Sequence, residues 1–207
     1  MYARSTTARG DPSTLDEAIA FVGKKEFPAI TGIPGCIGLS MLADRESGRV
    51  IVSSAWADED SLAASKEMVR PMQDRLMHML RAEDALIQSW DVGVLHRERP
   101  SGDDARATVT WARVPTDSID AMLDTYRTTV LPALRELPGF CSLSFVVDRV
   151  QGRTVSVTAF ENPDALARSR DRAQRLRDDF ASSVGARIHD SAEMDLVVAH
   201  LGIPETV

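Results

Sequence analysis

Residues 34–65 read PGCIGLSMLADRESGRVIVSSAWADEDSLAAS, and residues 138–169 read PGFCSLSFVVDRVQGRTVSVTAFENPDALARS. The two stretches share a Pro-Gly start, a Leu-Ser pair, an Asp-Arg pair and a Gly-Arg pair, all at one fixed shift of 104 residues. The same shift aligns Pro28 with Pro132 and His96 with His200. Two large copies indicate a duplicated, pseudo-symmetric unit, because a solenoid is built from several small repeats.

The chain of 207 residues divides near Pro100–Asp104, a short polar segment of turn-forming residues. We predict one repeat at residues 1–100 and a second at residues 105–207. A domain of about 100 residues buries a modest share of its surface. The two repeats are therefore expected to pack against each other.

The residue pattern predicts the same element order in both repeats. Leu15, Ile19 and Val22 recur at helical spacing. Pro28 and the cluster Gly32-Ile33-Pro34-Gly35 are expected to end that helix, because proline cannot continue a helix and glycine tolerates positive φ. Two predicted strands joined by a hairpin follow, and Asp58 is a suitable cap for the next helix. With a first and a last strand the order is β-α-β-β-α-β, a ferredoxin-like α+β unit. Both faces of the central strands are largely uncharged, so we expect sheet-to-sheet packing of the repeats.

Composition bears on the partners and the location of the chain. The net charge of −7 and the pI near 5.1 argue against nucleic acid or an anionic membrane as partner. The sequence holds no apolar run of the ~20 residues that span a bilayer, and its first residues do not resemble a signal peptide. Its two cysteines form no disulfide framework. A cytoplasmic protein is the expectation.

Short motifs stand where the third predicted strand of each repeat meets the following helix. Residues 55–62 read AWADEDSL, residues 159–166 read AFENPDAL, and residues 138–143 read PGFCSL. These segments resemble signatures of the antibiotic-biosynthesis-monooxygenase-like superfamily. Its members are dimeric α+β barrels in which two ferredoxin-like sheets face each other. The resemblance implies that this one chain supplies both subunits as an intrachain pseudo-dimeric α+β barrel, and further homo-oligomers remain open.

The resemblance also implies a function, since the superfamily includes cofactor-free quinol and polyketide monooxygenases and haem-degrading enzymes. We expect a cofactor-independent monooxygenase-like protein whose partner is a small apolar aromatic or quinol- or polyketide-like molecule. The substrate's own carbanion would react with oxygen, so neither a cofactor nor a metal is expected. Many members carry a histidine where this chain has Ser65 and Ser169. That departure keeps a second hypothesis open, a non-catalytic small-molecule-binding or structural barrel protein.

Ligands of the superfamily lie between sheet and helices, which points to candidate residues in the first repeat. Trp56 stands where the family has an aromatic residue beside the pocket, and Ser65 stands at the position of the histidine. Met72 belongs to a methionine-rich helix that the second repeat does not reproduce, and His78 is the histidine of that helix. Core packing is the alternative role for Trp56 and Met72.

In the second repeat, Trp111 and Tyr126 are the candidates for lining a pocket, since both carry a polar tip that needs a partner when buried. The spacing of the histidines fits no metal site. The sequence also lacks the motifs that activate a nucleophilic serine, and it assigns no catalytic residue.

Overall fold

The computed structural model of the chain describes residues 1–201, apart from the side chains of Lys25 and Leu201. Within this range the chain forms eight strands and six α-helices. The strands are β1 (Tyr2–Arg9), β2 (Cys36–Asp44), β3 (Arg49–Trp56), β4 (Ala85–Arg97), β5 (Arg106–Arg113), β6 (Phe140–Asp148), β7 (Arg153–Phe160) and β8 (Arg187–Leu201). The helices are α1 (Leu15–Phe21), α2 (Phe27–Thr31), α3 (Glu59–Leu80), α4 (Ile119–Thr125), α5 (Leu131–Arg135) and α6 (Pro163–Ser183).

The duplication read from the sequence is present in the elements. Strands β5, β6 and β7 begin and end at positions shifted by 104 residues from β1, β2 and β3, and helices α4 and α5 repeat α1 and α2 in the same way. Hydrogen bonds join the strands in the order β1-β3-β2-β8-β5-β7-β6-β4, which closes into a barrel. The predicted fold class, two ferredoxin-like α+β repeats forming an α+β barrel within one chain, is confirmed.

The described chain forms two compact units. The first unit contains residues 1–90 and 194–201, and the second unit contains residues 91–193. In the second unit, the end of β4 from Asp91 to Arg97 pairs antiparallel with β6. In the first unit, the end of β8 pairs antiparallel with β2. The last strand of each repeat therefore begins in one unit and ends in the other.

Each long helix begins at a side-chain cap. The Asp58 carboxylate accepts a hydrogen bond from the Ser61 amide at 2.7 Å, and the Asn162 amide oxygen accepts one from the Ala165 amide at 2.8 Å. Both caps satisfy a backbone donor that the first helical turn leaves free. The predicted cap at Asp58 is confirmed.

Of the predicted helix end, the part at the Gly32–Gly35 cluster is confirmed and the part at Pro28 is wrong, because a π-helical turn carries the chain through Pro28. Residues Val22–Glu26 form this wider turn, in which the amide of Phe27 donates to the carbonyl of Val22, and α2 then continues to Thr31. Proline is tolerated at the first positions of a helix, where its missing N–H is not needed. The second unit has the same turn at Tyr126–Val130. Such π-helical turns occur frequently at functional sites.

Candidate functional site

The first unit holds a pocket between its helices and the β1-β3-β2 part of its sheet. Its empty space, counted out to the open mouth, is about 480 Å³. Most of the wall is apolar. The polar exceptions are Arg4, Thr6, Glu26, Ser54 and Gln73.

Arg4 is a buried cation in this wall, only 7% exposed. It lies on β1, directly opposite Ser54 of β3. Its Nη1 donates to Ser65 Oγ at 2.7 Å, and its Nη2 donates to the Leu62 carbonyl at 2.6 Å. Burial lowers the pKa of Arg4, but a guanidinium remains charged in proteins. The first turns of α3 thus hold a positive charge at the pocket.

Glu26 is the corresponding buried anion, 5% exposed, at the end of the first π-helical turn. Its Oε1 accepts a hydrogen bond from Arg75 Nη2 at 3.0 Å. Its Oε2 is buried and has no hydrogen-bond partner among the described residues. An unsatisfied carboxylate oxygen in an apolar setting is costly, and a functional role is one explanation for such a group in a native protein. Glu26 is therefore poised to accept a hydrogen bond or a proton from a ligand.

The second unit has a pocket at the equivalent place, with about 680 Å³ of empty space counted out to its mouth. Its polar wall includes Tyr126, Ser156 and Arg177. Burial raises the pKa of the Tyr126 phenol, although a hydrogen bond with Ser156 and the positive charge of Arg177 oppose the shift. The phenol thus stays protonated near neutral pH and can donate a hydrogen bond.

The two pockets differ at the positions that carry charge. Under the shift of 104 residues, Arg4 corresponds to Thr108 and Glu26 to Val130, both of which line the second pocket. Ser169, the counterpart of Ser65, donates instead to the Pro138 carbonyl at 3.2 Å. The buried pair of opposite charges therefore belongs to the first pocket and is not reproduced in the second.

Three of the sequence-predicted residues lie in or next to the first pocket. Met72 lines it. Ser65 is fully buried behind it, where its hydroxyl accepts from Arg4 and donates to the Leu62 carbonyl at 2.8 Å. Trp56 is also fully buried, and its indole N–H donates to Ser54 Oγ at 3.0 Å. Ser65 and Trp56 are thus in contact with pocket-lining groups.

Of the other three predicted residues, one lines a pocket and two do not. Tyr126 lines the second pocket. Trp111 is half-buried and is not among the residues that line either pocket, and His78 is exposed on α3. The structure therefore brings Tyr126 to a pocket but places Trp111 and His78 elsewhere.

Sequence reasoning missed Arg4 and Glu26, the two charged groups of the first pocket. Each has a small polar or apolar counterpart in the other repeat, Thr108 and Val130. A charge that appears in one copy of a duplicated element, at a position predicted to face the helices or the sheet, is the signal that could have identified them.

The segment of residues 1–201 contains no group of three or more His, Cys, Asp or Glu side chains placed to hold a metal ion. None of its helices is long and apolar enough to cross a membrane.

Close relatives of the chain occur in Mycobacterium tuberculosis. The uncharacterized protein Rv2558 is 44% identical over 208 residues, which cover 100% of this chain and 88% of that protein. The uncharacterized protein Rv2557 is 40% identical over 207 residues, covering 100% of this chain and 92% of that protein. No family model matches the chain.

Solved structures share the fold at low sequence identity. A candidate monooxygenase of Lactobacillus acidophilus has a TM-score of 0.69 and 9% identity, covering 97% of this chain and 96% of its own. An anthrone oxidase-like protein has a TM-score of 0.67 and 13% identity, with 97% and 93% covered. A heme-degrading enzyme of Listeria monocytogenes has a TM-score of 0.51 and 8% identity, with 94% and 99% covered. At these identities the likeness shows the fold alone.

Proposed function

Since this chain belongs to the same family as Rv2558 and Rv2557 and has the dimeric α+β barrel fold of antibiotic-biosynthesis-monooxygenase-like proteins, we propose that it is a cofactor-independent monooxygenase. The proposed site is the pocket of the first unit. The observation that carries the proposal is the Glu26 Oε2 atom, buried in a mostly apolar wall and without a hydrogen-bond partner in residues 1–201. The proposed substrate is a small aromatic molecule of the anthrone or quinol type.

Glu26 is the proposed general base. A substrate of this type carries a weakly acidic C–H or O–H whose removal leaves a conjugated anion. A carboxylate oxygen that lies in a mostly apolar wall can accept such a proton directly from a bound substrate. The Arg75 contact at Oε1 orients the carboxylate and leaves Oε2 for the substrate.

Arg4 is the proposed electrostatic partner. Removal of the proton puts negative charge on the substrate oxygen, and a fixed cation in a poorly solvated pocket stabilises charge that develops there. The guanidinium is held in place by Ser65 and the Leu62 carbonyl. Both charged groups line the same pocket, and the proposal requires that a bound ring system contact both.

The substrate anion would then react with molecular oxygen, the second substrate. For an anthrone, the carbanion combines with O₂ to give a hydroperoxide, and the loss of water leaves a ketone. The methylene carbon loses four electrons, one oxygen atom enters the product, and the other leaves as water with the two protons. The protein supplies the base, the cation and a pocket that excludes bulk water.

The alternative is a protein that binds a small molecule without turning it over. It is favoured by Ser65 and Ser169, which stand where many members of the superfamily carry a histidine. Binding without oxygen uptake would support it.

Oxygen consumption tests the proposal, with anthrone as the first probe and a set of quinols after it. We expect uptake by the wild-type chain and a fall of about 10²- to 10⁴-fold in the Glu26→Gln variant, the range typical of a lost general base. Glu17→Gln is the matched control, because Glu17 is exposed on the neighbouring helix α1. Wild-type protein that binds these molecules but consumes no oxygen would contradict the enzymatic function.

A further inference from the structure

The second pocket differs from the first in the kind of polar group that it offers. We propose that the two pockets have diverged to take different ligands, and that the second unit binds an aromatic oxyanion. This site is independent of the reaction proposed for the first pocket. Its polar wall includes Tyr126, Ser156 and Arg177, at positions where the first repeat has Val22, Val52 and Gln73.

Arg177 provides the positive charge. Its Nη1 donates to Ser191 Oγ at 3.3 Å, and its Nε lies 3.7 Å from Asp178 Oδ1. That Nε is buried and finds no hydrogen-bond acceptor in the part of the chain that the structure describes. A buried guanidinium donor without an acceptor is costly, and an oxyanion in the pocket would supply one.

Tyr126 and Ser156 add neutral hydroxyl groups beside this charge. Because burial raises the pKa of the phenol, the Tyr126 hydroxyl keeps its proton and can donate to a ligand oxygen. None of the described residues that line the pocket is acidic, and Asp178 has a side chain 54% exposed to solvent. The local field thus favours an anion.

An aromatic ring system is the part of the ligand that the remaining wall fits. Phe145, Phe160 and Phe180 line the pocket. The Tyr126 ring lies 4.6 Å from that of Phe145 and 4.9 Å from that of Phe180, measured between ring centres. Such side chains bury ring faces and edges favourably. The first pocket holds a carboxylate as well as a cation, whereas none of the described residues that line the second pocket is acidic, so the two pockets are expected to differ in specificity.

Calorimetric titration of the full chain with 2-naphthoate and with naphthalene-2-carboxamide tests this inference. The two probes have nearly the same shape, but only the acid is an anion. We expect the wild type to bind the acid at least about tenfold more tightly than the amide, as for a charge-assisted hydrogen bond. Equal affinity for the two probes overturns the proposal without the need for a variant.

The Arg177→Gln variant assigns the binding to the second pocket. It is expected to lose about tenfold in affinity for 2-naphthoate and to leave the affinity for the amide unchanged. Arg175→Gln is the matched control, because Arg175 is exposed on the same helix. An equal loss in the two variants would assign the effect to general surface charge and overturn the proposal. If Arg177→Gln does not fold, the comparison of the two probes in Tyr126→Phe decides, since a smaller preference for the acid is expected there.

Discussion

Arg4 Nη1 donates to Ser65 Oγ at 2.7 Å, which joins the first strand of the chain to its first long helix across 61 residues of sequence. Both residues are buried. The serine at this position thus holds a guanidinium at the pocket wall. This contact links the stability of the first unit to the geometry of its candidate site.

Ser65→Ala is expected to lower the free energy of unfolding by about 2 to 3 kcal/mol, because it leaves a buried donor of a charged group without its acceptor. Ser169→Ala is the internal control. Its hydroxyl bonds to a backbone carbonyl rather than to a charge, so the expected loss is nearer 1 kcal/mol. Urea denaturation measures both values, and equal losses would mean that the Arg4 contact adds nothing.

Arg4→Lys keeps the positive charge, but an ammonium group lacks the planar guanidinium that donates hydrogen bonds to both Ser65 and the Leu62 carbonyl. We expect oxygen uptake to fall about tenfold in Arg4→Lys and about 10²- to 10³-fold in Arg4→Met, the cost typical of a lost electrostatic contact to the transition state. Arg9→Met, at the exposed end of the same strand, is the control. Steady-state kinetics with anthrone compare the four proteins, and unchanged turnover in Arg4→Met would remove Arg4 from the mechanism.

Tyr126 predicts a pH dependence of stability. Burial raises its pKa above the ordinary value of 10.0, so the unfolded chain loses the phenolic proton at a lower pH than the folded chain. The free energy of unfolding therefore falls as the pH rises above about 10, by up to about 1.4 kcal/mol per pH unit from this group. Denaturation of wild type and Tyr126→Phe between about pH 8 and pH 11 should show a shallower alkaline loss in the variant.

Tyr2→Phe is the control for this prediction, since Tyr2 is only partly buried. It should keep the alkaline loss of the wild type. The prediction is wrong if Tyr126→Phe and the wild type lose stability in parallel above pH 10.

Gly139, in the Pro-Gly turn before β6, has a φ of +72°. A Cβ there would lie 2.5 Å from the Cβ of Ala165. Gly139→Ala should cost roughly 1 to 3 kcal/mol, because it combines an unfavourable backbone conformation with a steric clash. Gly102→Ala should be close to neutral, since a Cβ at Gly102 meets no atom within 4 Å. Thermal denaturation of the two variants distinguishes the sites.

The sequence predicts the fold well because the duplication and the helix caps can be read directly from the residues. The repeat beginning at Pro34 and Pro138 predicts matching elements, and Asp58 predicts the start of α3. The π-helical turn that carries the chain past Pro28 leaves no such mark, because the geometry of a π turn depends on packing against the rest of the fold. The sequence therefore predicts the helix end at Gly32 but not the passage of the helix through Pro28.

The candidate site is less predictable, because its geometry also depends on packing against the rest of the fold. Trp56 and Ser65 were recognisable by their place in a motif, but the structure has them support the pocket through Ser54 and Arg4. Glu26 lies in a π-helical turn. The direction of its side chain therefore cannot be predicted from the spacing of a regular α-helix. Comparison of the two repeats position by position recovers it, since Val130 stands at the equivalent place.

The most direct test of the account is hydrogen–deuterium exchange at the acidic methylene of anthrone, followed by NMR in D₂O without oxygen. This measurement isolates proton removal by Glu26 from the later reaction with oxygen. We predict exchange above the buffer rate with the wild type and with Glu17→Gln, and exchange at the buffer rate with Glu26→Gln. Exchange as fast with Glu26→Gln as with the wild type would contradict the assignment of Glu26 as the base.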